Sequence, residues 1–172
     1  MLAFGMNGEP LPVEHGFPLR MVIPGLYGYV SACKWLTRIQ ATTFEAFDAY
    51  WVERGWAAQG PIKIASRIDT PGSLRNFPAG RRAIAGVAWA QGRGIERVEV
   101  QIDEEDWVEA QLSPADEADM WRQWVLPYDF RRGSHLIKVR ATATDGEVQT
   151  DDRADPFPNG ASGWHTLRVV TS

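Results

Sequence analysis

The chain has 172 residues, 44% of them hydrophobic and 23% charged, with a formal net charge of -4 at neutral pH. That size and apolar content allow a full core in one domain, or in one domain with an extension. The dispersal of Lys and Arg among acids excludes a binder of nucleic-acid phosphates, and there is neither an apolar run of about 18 residues to span a membrane nor the opening pattern of a signal peptide.

The first fifty or so residues do not have the texture of a domain start. Pro10, Pro12, Pro18 and Pro24 fix φ, and Gly8, Gly16, Gly25 and Gly28 add turns, so little room is left for a helix. Short strands fit at 19–23 and 36–41. Thr43 is placed to cap a helix running to Tyr50, with Phe44, Phe47 and Trp51 on one apolar stripe. Cys33 is the one cysteine, so a disulfide framework within the chain and a multi-cysteine metal site are both excluded.

From residue 57 on, short strand-like runs alternate with Gly, Pro and Asp. The predicted strands are 62–68, 82–90, 97–102, 107–112, 124–128, 135–144 and 164–171. Their number and spacing predict a mainly β fold, an immunoglobulin-like antiparallel β-sandwich over 57–172. The two-residue period of Val98, Val100 and Ile102, and of Val139, Ala141 and Ala143, marks one inward face. Val87, Trp89 and Val169 are expected to join that interior. The acidic run Asp103-Glu104-Glu105-Asp106 and the pair Asp151-Asp152 have the character of solvated turns rather than paired catalytic carboxylates. A hydrolase built on His135 or His165 would need a nucleophile elbow or a metal-binding His pair, and the sequence carries neither motif.

Four linked blocks lie near the start: Met6-Asn7-Gly8-Glu9-Pro10-Leu11-Pro12, His15-Gly16-Phe17-Pro18-Leu19-Arg20, Ile23-Pro24-Gly25 and Lys34-Trp35-Leu36. Together they resemble the signature of the sulfite oxidase family of molybdopterin-dependent oxidoreductases. Val87-Ala88-Trp89, the stretch 95–100 and Gly163-Trp164-His165 are similar to that family's C-terminal dimerisation domain. The resemblance implies that 1–56 is the C-terminal remnant of an α+β molybdopterin-binding catalytic domain and that 57–172 is the dimerisation domain. It also implies a molybdenum-molybdopterin cofactor in the parent protein, held in part by His15, Arg20 and Lys34. Such a phosphorylated, polar group needs charge-assisted donors, which a guanidinium and an ammonium supply.

Several further expectations follow from the resemblance. The parent is a homodimer, attached to an upstream catalytic domain, and an extracytoplasmic location is compatible with it. The family's metal-ligating Cys lies upstream of the Met-Asn-Gly block, so Cys33 is expected to be a buried structural thiol, and the isolated chain is expected to be inactive and to hold no cofactor. The family's substrate-side Tyr aligns with Trp56, and an anion-binding Arg has no counterpart near Phe157, which puts sulfite in doubt as the substrate. The alternative is a stand-alone immunoglobulin-like binding or assembly module in which 1–56 forms an ordered arm.

Overall fold

A computed structural model describes residues 1–114 and 117–172. The chain forms two compact units, residues 1–62 with 155–161, and residues 63–154 with 162–172. The sequence pattern placed a border after residue 56; chain compactness places it after Ile62 and returns 155–161 to the first unit.

The first unit is built from very short elements. β1 (Leu2–Ala3), β4 (Arg20–Val22) and β5 (Ala32–Cys33) make a three-stranded sheet with β4 in the middle, and β2 (Gly5–Met6) pairs with β3 (Glu9–Pro10). Between them lie a 3-10 turn at Val13–His15 and a one-turn helix, α1 (Gly28–Ser31). The strand expected at 19–23 forms as β4. The strand expected at 36–41 does not form, because Trp35 takes φ 52 and turns the chain away after β5. The expected helix over 43–50 is likewise absent, replaced by turns. Two rings of its stripe are left in solvent, Phe44 and Phe47 being 66% and 64% exposed. An isolated two-turn helix without a packed face does not repay its nucleation cost.

The second unit is a sandwich of two sheets. β6 (Ala65–Thr70), β7 (Asn76–Phe77), β8 (Gly80–Trp89), β9 (Ile95–Ile102), β10 (Val108–Glu109), β11 (Gln111–Leu112), β12 (Arg122–Phe130), β13 (Gly133–Ala143) and β14 (His165–Thr171) follow in chain order. They assemble as a four-stranded sheet, β11-β12-β8-β6, and a five-stranded sheet, β10-β9-β13-β14-β7. With β6, β8, β9, β11, β12, β13 and β14 taken as strands A to G, these orders are those of an immunoglobulin-like sandwich. All pairings are antiparallel except the short one of β7 with β14. No helix among the described residues is long and apolar enough to cross a membrane.

Alternation sets the core. Val98, Val100 and Ile102 on β9, and Ile137, Val139, Ala141 and Ala143 on β13, are essentially fully buried, as is Val169 on β14. On β8 the expected face is the wrong one. Ile84 and Ala88 are buried there, while Val87 and Trp89 lie on the other side of the sheet and stay half-exposed. The reason is a match of size across the sheet. Trp124 of β12 stands opposite Gly86 and is 2% exposed, and a Cβ at Gly86 would lie 3.0 Å from the indole and 1.9 Å from the Arg67 carbonyl oxygen. Trp89 instead stacks on Trp121, with centroids 5.6 Å apart, and donates from Nε1 to the Asp119 carbonyl at 3.0 Å.

Candidate functional site

The cationic residues singled out in the first unit converge on one small turn. Pro12 leads into the 3-10 turn Val13–His15, and Gly16 closes it at φ 117, its N–H donating to the Val13 carbonyl. Gly16 is required twice over, because a Cβ there would also sit 3.0 Å from the Cβ of Arg20. The three carbonyls of the turn are then taken by side chains from later in the chain. Trp35 Nε1 donates to Val13 O at 2.8 Å, Lys34 Nζ to Glu14 O at 2.8 Å, and Arg20 Nη1 to His15 O at 3.4 Å.

His15, Arg20 and Lys34 are thus brought together, two of them by their side chains and His15 through its backbone. The His15 ring itself is exposed. Arg20 sits at the start of β4, half-buried, and its Nε, like those of Arg97 and Arg122, is buried with no hydrogen-bond partner among the described residues. A buried N–H of a permanent cation without an acceptor is costly, and an anion docked against the guanidinium would satisfy it. The donor set of this corner therefore fits a phosphorylated, polar ligand. The turn carbonyls that orient the cations could not be read from the sequence, because backbone acceptors carry no residue signature. Trp35 was visible as part of a block, but its role as an anchor of the turn was not.

Cys33 is exposed rather than buried, on β5 at the edge of the three-stranded sheet. Its side of a two-residue strand has no layer packed over it, so the expectation of a buried thiol fails. Among the described residues no group of three or more His, Cys, Asp or Glu is placed to hold a metal ion.

A second feature of the same unit is an aromatic cluster around Trp56. Tyr29, Phe157 and Trp51 surround it at centroid distances of 4.9, 5.5 and 6.3 Å. The Tyr29 hydroxyl donates to the Ala57 carbonyl at 3.1 Å. The cluster is thus mainly aromatic ring surface, with the Tyr29 hydroxyl turned to a backbone carbonyl.

The histidines of the second unit are structural. His165 Nδ1 accepts the Ile68 N–H at 3.0 Å, and burial, helped by the Arg67 charge, holds its pKa below the ordinary imidazole value. Asp103 is not the freely solvated turn residue that its acidic neighbours suggested. Its Oδ1 accepts the Leu136 N–H at 2.9 Å and its Oδ2 lies 2.9 Å from His135 Nδ1.

The chain is similar to known proteins along its whole length. The oxidoreductase molybdopterin binding domain family matches residues 1–51. Mitochondrial sulfite oxidase of Homo sapiens is 30% identical across all of this chain, which covers 36% of that protein. Sulfite oxidase of Arabidopsis thaliana is 33% identical, again over the whole chain and 49% of the relative. Among solved structures, the sulfane dehydrogenase SoxCD from Paracoccus pantotrophus superposes with a TM-score of 0.76 at 28% identity, over 98% of this chain and 48% of that one. The chain thus spans between about a third and a half of the length of these relatives.

Proposed function

We propose that this chain, which is similar over its whole length to sulfite oxidases, is the C-terminal portion of a molybdopterin-dependent oxidoreductase of the sulfite oxidase family, contributing part of the cofactor cradle and an assembly domain. The observation that carries the proposal is the convergence of Arg20 and Lys34 on the backbone of the Val13–His15 turn, where the Arg20 Nε has no partner among the described residues. When bound, the cofactor would supply a molybdenum centre able to change oxidation state, and the protein's share is binding, orientation and electrostatics.

In this reading Arg20 offers its guanidinium fork to the anionic part of the cofactor, and Lys34 adds a point charge tethered to the Glu14 carbonyl. His15 adds an exposed ring that can donate or accept. The Val13–His15 turn holds these groups in register, so they are placed before the ligand arrives. Residues 63–154 and 162–172 serve as the dimerisation domain of a homodimer, and an extracytoplasmic parent is compatible with the reading.

Sulfite is a small dianion and wants cationic and hydroxyl partners. Trp56 offers a single indole N–H and Phe157 offers none, so we expect the parent to oxidise sulfite poorly. Metal analysis and steady-state kinetics on the full-length, molybdenum-loaded protein test both levels. Stoichiometric molybdenum and pterin, with a sulfite Michaelis constant far above the micromolar range, are the expected results. Absence of both metal and pterin from the natural protein contradicts the cofactor reading. Rapid turnover at micromolar sulfite contradicts the reading of Trp56 alone.

A further inference from the structure

His135 lies on β13 and is 7% exposed, yet both of its ring nitrogens face acceptors. Nδ1 is 2.9 Å from Asp103 Oδ2, and Nε2 is 2.8 Å from the Arg131 carbonyl oxygen. A neutral imidazole carries one N–H and one lone pair, so it can satisfy one of these contacts and must oppose the other. The imidazolium satisfies both.

The acceptors are themselves held in place. Asp103 stands at φ 55, its N–H donates to the Leu136 carbonyl at 2.7 Å, and its Oδ1 accepts from the Leu136 N–H. The Thr171 hydroxyl lies within hydrogen-bond reach of both the Arg131 and the Gly133 carbonyls, to which its single O–H can donate in turn. The Phe130 ring packs against the imidazole with centroids 5.4 Å apart. Charged groups face this cluster from three sides. Asp103 and Glu105 come from the turn after β9, Arg168 from β14 acts on Asp103, and Tyr128 on β12 reaches Glu105 Oε2 at 3.5 Å.

We propose that His135 is a proton-operated latch: charged, it ties the turn 103–106, through Asp103, to the β12–β13 hairpin, through the Arg131 carbonyl, and on losing its proton it must give up one of these two contacts and so loosens the turn. Burial alone would disfavour the charge, but the Arg131 carbonyl and the Asp103 carboxylate outweigh it and hold the His135 pKa above the ordinary imidazole value. A raised folded-state pKa contributes stability that is fully present below the unfolded value and is lost as pH rises through the folded one. Asp103 behaves in the opposite sense. Burial raises its pKa, but the Leu136 N–H and His135 lower it further, so its contribution is present above the ordinary carboxylate value and fades on acidification. The latch is closed between these limits and opens on the alkaline side.

Proton NMR titration of the three histidines in the full chain, with amide-exchange protection measured at Leu136, tests the latch. His135 should titrate above the ordinary imidazole value and above His165, and Asp103→Asn should shift its midpoint down. Leu136 should lose protection as pH passes the His135 midpoint, while Val98 and Val139 in the core keep theirs. A His135 midpoint at or below the ordinary value overturns the proposal, as does protection at Leu136 that is indifferent to that transition. If Asp103→Asn does not fold, the two measurements on the unaltered chain decide.

Discussion

Replacing Phe130 by alanine should lower the unfolding free energy by about 3–5 kcal/mol, the range found when a large buried aromatic is truncated. Phe130 ends β12, is 2% exposed, and is ringed by Tyr128, Phe77 and His135 at centroid distances of 4.9, 5.3 and 5.4 Å. Those neighbours belong to separate strands paired with others of both sheets, so the hole cannot be closed by moving one side chain. A domain stable by roughly 5–15 kcal/mol loses a large share of its margin from this one change. Trp89→Ala should cost clearly less, since that ring lies on the outer face, stacked on Trp121 and half-exposed. Urea unfolding of the two variants separates these cases. A cost at Phe130 below that at Trp89 would contradict the assignment of the core face.

How far the sandwich was legible depended on how unambiguous each strand's pattern was. On β9 the charged and polar residues Glu99 and Gln101 separate Val98, Val100 and Ile102, and the inward face was read correctly. On β13 Val139, Ala141 and Ala143 were likewise read as inward, and Ile137 continues their buried parity. β8 was different because both parities are apolar: Ile84, Gly86 and Ala88 on one, Ala83, Ala85, Val87 and Trp89 on the other. The bulkier set looked like the core, but tertiary packing chose the smaller one to leave room for Trp124. Local pattern cannot reveal that choice, because it is made by a strand some forty residues away.

In the first unit the balance was reversed. Its elements are too short for periodicity to speak, and the stripe of Phe44, Phe47 and Trp51 predicted a helix that does not form: Trp51 packs on Trp56, while Phe44 and Phe47 stay exposed. The linked blocks nevertheless led to His15, Arg20 and Lys34, which the fold gathers at one turn. What the sequence could not convey is the means of gathering, since Val13, Glu14 and His15 act through their carbonyl groups.

We propose that Arg20 binds the anionic part of the cofactor, and the molybdenum and pterin content of the full-length parent carrying Arg20→Ala, with Arg20→Lys beside it, tests this. Stripping a charged donor from a buried anion commonly costs about 2–5 kcal/mol, and at 1.4 kcal/mol per decade this weakens retention by between one and four orders of magnitude. After dialysis, the alanine variant should have lost most of its cofactor while keeping the unfolding transition of the second unit. The lysine variant should fall between, because it keeps the charge without the planar, multiple-donor guanidinium. Full, stoichiometric retention of molybdenum and pterin by the folded Arg20→Ala protein would contradict the account.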